Sequence, residues 1–113
     1  MTDNRKDLIN AYKQRKIIGG VFTVTNTATG RYLLEAAADI QARRNAFNFS
    51  VSTNNPFDYK MRKEWQKSGA AAFTFMVLDT LEKKETQSQE QFLEDLKMLE
   101  EIQAEKLDAA KRY

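Results

Sequence analysis

Residues 19–39 read GGVFTVTNTATGRYLLEAAAD, with two apolar runs on either side of a polar turn. Val, Phe and Thr dominate residues 20–26, and these residue types favour a β-strand. The second apolar run, residues 31–37, predicts the returning strand. Between the two runs, Asn26 and Gly30 are residue types that tolerate the positive φ of tight turns. The stretch therefore predicts an antiparallel β-hairpin.

Helical spacing predicts helices on both sides of this hairpin. Residues 3–16 place apolar side chains one helical turn apart, and Asp39 is a suitable N-cap for a helix over residues 40–49. A short helix should begin after Asp58, because Asp is again a capping residue type. It should end near Lys67, because a glycine follows soon after.

A third strand and a long helix complete the predicted architecture. The segment AAFTFMVLDTL, residues 71–81, is apolar on both of its alternating faces, which is typical of the central strand of a small sheet. From about Gln89 to the end of the chain, we expect a long amphipathic helix. Its apolar stripe consists of Phe92, Leu93, Leu96, Leu99, Ile102 and Leu107.

The predicted fold class is therefore α+β, a three-stranded antiparallel sheet flanked by helices, with an extra N-terminal helix and a long C-terminal helix. We assign residues 1–18 to the N-terminal helix and residues 19–113 to one domain. The chain has 113 residues, of which 42% are hydrophobic, and this is enough apolar material for one core.

Composition excludes several kinds of chemistry. The chain contains no Cys and no His. Disulfides, thiolate metal sites and histidine general bases are therefore impossible within it. The first ten residues lack the apolar core of a signal peptide, and no apolar run approaches the roughly 18 residues of a membrane-spanning helix. We expect a cytoplasmic protein with no membrane partner and no evident small-molecule substrate.

Four short segments follow one another in an order that resembles the motif order of a known protein family. The tripeptide GVF occupies residues 20–22, LLE occupies residues 33–35, AAADI occupies residues 36–40, and Arg43 follows. This order resembles that of the GIY-YIG nuclease domain, in which Gly-Ile-Tyr, Tyr-Ile-Gly and a Ser-Ser-x-Asn-Leu stretch precede an arginine. The resemblance implies the same α+β fold.

Two later segments extend the resemblance to roughly residues 18–108. MRKEWQKSGAAAFTFMVLD, residues 61–79, is similar to the family's Leu-x-x-Asp-Trp-x-x-Tyr-Gly-x-x-x-Phe-x-Phe-x-Val-Leu-Glu segment. LKMLEEIQAEKL, residues 96–107, is similar to the family's last helix, with Glu100 at its acidic position. The chain is most similar to small stand-alone bacterial members of the family.

The resemblance implies a metal-assisted phosphodiester hydrolysis. In the family, one tyrosine hydroxyl helps to activate the attacking water, and the second tyrosine orients groups around the phosphate. The arginine, here Arg43, stabilises phosphate charge. The glutamate, here Glu100, binds a divalent metal, usually Mg²⁺. Mg²⁺ or another divalent ion is thus the expected cofactor of an active chain, and an inactive chain needs none.

Four positions depart from the family's pattern. Phe22 keeps the ring of the first tyrosine without its oxygen, and Leu33 lacks both ring and oxygen at the second. Glu35 replaces a glycine and adds a carboxylate where an anionic phosphate should lie. Phe47 stands where many members have a histidine. These departures predict a degenerate site in which cleavage is lost or strongly reduced.

Two rearrangements could restore chemistry to such a site. A bulge or a one-residue slip would turn Tyr32 toward the position of the second tyrosine, although the spacing to Arg43 favours the unslipped register. Alternatively, Glu35 and Glu100 could form a new pair of carboxylates for metal binding or acid–base work. The sequence alone does not define the distance between these two glutamates.

Three functions remain open on the sequence. The first is a nuclease-like protein that binds DNA or RNA without cleaving it. The second is an active endonuclease with relocated catalytic groups. The third is a scaffold that binds a protein partner or forms a homodimer through its terminal helices.

Residues 1–69 carry 12 Lys and Arg against 6 Asp and Glu, which suits a polyanionic partner but also an ordinary solubilising surface. The candidate nucleic-acid contacts are Arg43, Arg44, Lys60, Arg62 and Lys63.

Overall fold

A computed structural model describes residues 16–113 of the chain. The predicted helix over residues 3–16 falls almost wholly outside the described residues, as does most of the assigned N-terminal segment 1–18. The described part contains a three-stranded antiparallel sheet and three α-helices, which confirms the α+β class.

The sheet consists of β1 (Ile18–Asn26), β2 (Tyr32–Ala37) and β3 (Phe73–Glu82) in the order β2-β1-β3. Both pairings are antiparallel. Strands β1 and β2 form the predicted hairpin. The prediction that the third strand is central was wrong, because β1 occupies the centre and β3 lies at an edge.

Burial explains why β1 takes the central position. Val21, Phe22 and Val24 are all 0% exposed, so both faces of β1 are covered. The second apolar face of β3 is only partly buried, since Met76 on that face is 59% exposed. The apolar pattern of β3 thus predicts more burial than the strand has. The threonines of β1, in contrast, give no indication that both faces of that strand are buried.

The turn of the hairpin differs from its prediction at one residue. Gly30 adopts a positive φ of 77°, as expected. Asn26 instead remains in β1, and its side-chain oxygen accepts a hydrogen bond of 3.0 Å from the Ala28 N–H. The asparagine therefore stabilises the turn through its side chain, as Asx turns do, rather than through its backbone conformation.

The α-helices are α1 (Ile40–Thr53), α2 (Arg62–Ser68) and α3 (Gln89–Glu105). Within residues 16–113, three short 3₁₀ helices add single turns; they cover Tyr59–Met61, Ala70–Ala72 and Ala109–Lys111. Helices α1 and α2 pack on one face of the sheet and α3 packs on the other. The first core cluster comprises Phe22, Val24, Leu33, Phe47, Met61, Trp65 and Phe73. The second comprises Val21, Tyr32 and Leu34.

Both predicted caps form, but only one of them lies at the start of an α-helix. The Asp39 carboxylate accepts a hydrogen bond from the Ala42 N–H at the start of α1. The Asp58 carboxylate accepts one from the Lys60 N–H in the 3₁₀ turn Tyr59–Met61, so the helix predicted to begin after Asp58 becomes α-helical only at Arg62. Such caps satisfy backbone donors that a helix leaves unpaired at its N-terminus. Gly69, with a φ of 81°, ends α2 as expected.

Two helix ends differ from their predictions. Helix α1 continues about one turn beyond residue 49, until the left-handed residue Asn54 stops it. Helix α3 ends at Glu105 rather than at the end of the chain. The Asp108 carboxylate accepts a hydrogen bond of 3.0 Å from the Ala110 N–H and starts a separate 3₁₀ turn. This local bond competes with continuation of the helix.

Gly20 is required where β1 meets β3. A Cβ atom at this position would lie 2.5 Å from the carbonyl oxygen of Asp79, which belongs to the backbone of β3. The pairing of the two strands shifts at the adjacent Val21/Phe22 step, so the backbones approach closely beside a bulge. A side chain at residue 20 would therefore force the central strand away from its neighbour.

We predict that Gly20→Ala lowers the free energy of unfolding by about 1–3 kcal/mol, the usual cost of overpacking a closed core. Urea unfolding followed by far-UV circular dichroism measures the change. The exposed Ala71→Ser substitution is the control and should stay within about 0.5 kcal/mol of the wild type. Equal stability of Gly20→Ala and the wild type would contradict the close approach of the two strands.

Candidate functional site

Three of the predicted site residues line one cleft at the edge strand β2. Glu35 comes from β2, Arg43 from the first turn of α1, and Glu100 from α3. The cleft has a volume of about 460 Å³, and Lys97 also lines it. We call it the β2 cleft. The fold therefore gathers the arginine and the two glutamates that the motifs singled out.

Glu35 and Arg43 neutralise each other in the β2 cleft. The Arg43 Nη2 atom lies 3.1 Å from the Glu35 Oε2 atom, and about a third of each side chain is exposed. The Arg43 guanidinium also lies 4.6 Å from the centroid of the Phe57 ring and 5.7 Å from that of Phe22. A phosphate that approached Arg43 would thus meet a charge that is already paired.

Phe22 and Leu33 belong to the core rather than to the cleft. Phe22 is 0% exposed, and its ring stacks on Phe75 with 4.7 Å between the ring centroids. Leu33 is 2% exposed and belongs to the same core cluster. Phe47, at the family's histidine position, packs in that cluster as well. None of these side chains can donate, accept or move a proton.

Glu100 has a cationic partner of its own. Its Oε1 atom lies 3.8 Å from the Arg112 Nη2 atom, which also donates a hydrogen bond of 3.2 Å to the Leu34 carbonyl. Glu35 and Glu100 therefore share a cleft, yet each is paired with a different arginine. Within residues 16–113, no three Asp or Glu side chains are grouped as metal ligands.

Tyr32 does not take the place of the second tyrosine. It pairs with Thr25 in the unslipped register, and its side chain packs on the α3 side of the sheet. Its hydroxyl donates a hydrogen bond of 2.9 Å to the Asp108 carbonyl. Leu33, one residue on, points to the opposite face, as alternation along a strand requires.

The five predicted nucleic-acid contacts do not form one surface. Arg43 lies in the β2 cleft, paired with Glu35. The Arg44 guanidinium lies 5.2 Å from the centroid of the Phe75 ring and lines a different cavity with Ile18 and Val77. The remaining three, Lys60, Arg62 and Lys63, line a third cavity at α2.

Four cations and an exposed tyrosine line one cavity at α2. The cavity there has a volume of about 580 Å³. Tyr59 is 77% exposed, and the Arg62 guanidinium lies 4.6 Å from the centroid of its ring. We define the basic surface as Arg31, Tyr59, Lys60, Arg62 and Lys63.

Sequence reasoning missed Arg31, Tyr59 and Tyr113 as parts of this region. Arg31 directly follows the turn glycine, and the hairpin end is anchored beside α2 by a 2.8 Å hydrogen bond from the Thr27 N–H to the Ala72 carbonyl. That long-range contact has no sequence signal. The alternation of Tyr59 with neighbouring cations was visible in the sequence and could have indicated a nucleic-acid surface.

Tyr113 closes one side of the same cavity. The Arg31 guanidinium lies 4.4 Å from the centroid of its ring, and Arg31 also pairs with Glu64 at 3.4 Å. Burial, together with the neighbouring Glu64 carboxylate, raises the pKa of the Tyr113 hydroxyl from 10.0 to about 12. The phenolate form is disfavoured because it would be desolvated beside an anion.

We predict that stability falls as pH rises from 10 to 12. Above pH 10 the unfolded chain loses the Tyr113 proton, whereas the folded chain retains it until about pH 12. The contribution of this group is therefore complete below pH 10 and disappears through this window. Urea unfolding across the window, compared between the wild type and Tyr113→Phe, measures it. An identical pH dependence of the two proteins would contradict the raised pKa.

No protein-family model matches the chain, and no curated protein or solved structure matches it. The resemblance to the GIY-YIG nuclease domain therefore depends on the sequence motifs alone. Among the helices of residues 16–113, none has both the length and the apolar character needed to cross a membrane.

Proposed function

We propose that the protein is a GIY-YIG-like domain that binds nucleic acid through the basic surface and does not cleave it. One observation carries the proposal. Lys60, Arg62 and Lys63 are exposed side by side and form no ion pair with any residue of the described chain. Unpaired cations of this kind are available to phosphates, and phosphate contacts supply most of the affinity in non-specific nucleic-acid binding.

The loss of cleavage is supported by the contents of the β2 cleft. Phe22 and Leu33 are core residues that bring no hydroxyl to it, and Arg43 is neutralised by Glu35. General acid–base groups typically contribute about 10²–10⁴-fold to a reaction rate. A site without them would be slow even if Glu100 still held a divalent metal.

We predict that binding depends on the basic surface and on salt. The Lys60→Gln/Lys63→Gln variant should bind a labelled oligonucleotide more weakly than the wild type in fluorescence anisotropy. Its plot of log K against log salt concentration should be shallower by about 1.4 to 1.8, because two phosphate contacts are lost. The control is Lys84→Gln/Lys106→Gln, which removes the same charge from two other exposed positions.

Two results would contradict this proposal. One is the absence of salt-dependent binding by the folded wild type. The other is equal weakening in the control variant, which would mean that overall charge and not this surface determines binding.

We also predict no cleavage of supercoiled plasmid DNA in the presence of Mg²⁺ or Mn²⁺ above the level of a protein-free control. Agarose gel electrophoresis of nicked and linear products measures the activity. Metal-dependent nicking that Glu100→Ala abolishes would instead establish an active endonuclease, with a metal on Glu100 and relocated catalytic groups.

A partner-binding scaffold is the second candidate, because α3 exposes apolar side chains beside β3. Met98 is 61% exposed and Ile102 is 49% exposed, one turn apart, and Leu81 lines the same cavity. A homodimer would cover these side chains. Light scattering should then show a dimer that Met98→Lys dissociates, and a wild-type monomer would argue against this candidate.

A further inference from the structure

Tyr59 is held outward on a firmly anchored turn. The Asp58 carboxylate accepts a 2.9 Å hydrogen bond from the Lys60 N–H, and Met61, at the end of the same 3₁₀ turn, is 0% exposed. One end of the turn is thus capped and the other is fixed in the core. The position of Tyr59 at the surface is a consequence of this anchoring.

The ring of Tyr59 has one covered face and one open face. The Arg62 guanidinium stacks on the ring at 4.6 Å, and the residue is still 77% exposed. Its hydroxyl makes no hydrogen bond to any of residues 16–113. The ring therefore contributes little to the core and presents a flat, accessible surface in the middle of a cationic region.

From this arrangement we infer that the basic surface binds single-stranded nucleic acid by stacking a base on Tyr59 while the surrounding cations contact its phosphates. The inference rests on the proposed function and specifies the form of nucleic acid. Bases in a duplex stack on one another, so their faces are not available to a side chain. Bases of a single strand can stack on an aromatic ring, and Arg beside the ring strengthens such contacts.

The charges around the ring fit this partner. Lys60 directly follows Tyr59 in the chain, Lys63 directly follows Arg62, and Arg31 reaches the same cavity from the hairpin. Among residues 16–113, Glu64 is the one Asp or Glu side chain that lines it, and its carboxylate is paired with Arg31. The surface is therefore cationic overall, and stacking on tyrosine accepts any base. We expect weak sequence preference and binding of both DNA and RNA single strands.

The test compares Tyr59→Ala with the wild type by fluorescence anisotropy. The probes are labelled single strands of about 12 nucleotides, one of DNA and one of RNA, and a DNA duplex of the same length. Tyr59→Ala should weaken binding of the single strands about 5- to 150-fold, the range for removing one aromatic base stack. Binding of the duplex should change much less, because it depends on phosphate contacts.

Two further variants make the test specific. Tyr59→Phe keeps the stacking ring and should bind single strands about as well as the wild type. Phe49→Ala removes another exposed aromatic ring, 67% exposed on α1, and should have no effect. Because Tyr59 and Phe49 lie at the surface, thermal unfolding should show all three variants to be folded.

The outcomes separate this inference from the proposed function. If Tyr59→Ala leaves single-strand binding unchanged, or weakens duplex binding equally, while Lys60→Gln/Lys63→Gln still weakens binding, stacking is refuted and the nucleic-acid function stands. If the wild type binds none of the probes, both are refuted. Loss of DNA binding with retained RNA binding in Tyr59→Ala would likewise contradict a shared stacking mode.

Discussion

Strand β1 is buried on both faces and paired with a neighbouring strand along both edges, and the rest of the structure depends on this constraint. Its side chains at Val21, Phe22 and Val24 are fully enclosed, and its backbone pairs with β2 and β3. A strand enclosed in this way needs a layer of helices on each face of the sheet. Helices α1 and α2 supply one layer and α3 supplies the other.

The same constraint determines what the β2 cleft can do. Because Phe22 lies at the middle of β1, its ring fills the core, and its register partner Glu35 lies directly across from it on β2. Arg43, on the helix that covers this face, then pairs with Glu35. Glu35, Arg43 and Glu100 each have a charged partner, and only Lys97 of the cleft has none among the described residues. Lys60, Arg62 and Lys63 instead lie together at α2, all three without such a partner. This contrast favours binding at α2 over chemistry at β2.

Local features of the fold could be predicted from the sequence. The hairpin, the caps at Asp39 and Asp58, and the end of α2 at Gly69 depend on residues within a few positions of one another. The order of the strands could not be predicted in this way. It depends on which strand is covered on both faces, and the exposed Met76 of β3 shows that apolar alternation alone does not reveal this.

The candidate site was only partly predictable, because some of its residues are brought together by packing between distant parts of the chain. Glu35, Arg43 and Glu100 meet in one cleft, although the sequence did not define the distance between the two glutamates. Arg43 and Arg44 diverge, because neighbouring residues on a helix point about 100° apart. Arg31 joins the cations of α2 only through packing of the hairpin end, a contact between residues far apart in the chain.

The most direct test of this account is to map the nucleic-acid contact by NMR. Amide resonances of ¹⁵N-labelled protein would be assigned and followed while a short single-stranded oligonucleotide is added. The largest shifts should occur at residues 59–63 and Arg31, with Glu35, Arg43 and Glu100 nearly unchanged. Shifts centred on the β2 cleft would contradict it and would return attention to that cleft as the functional site.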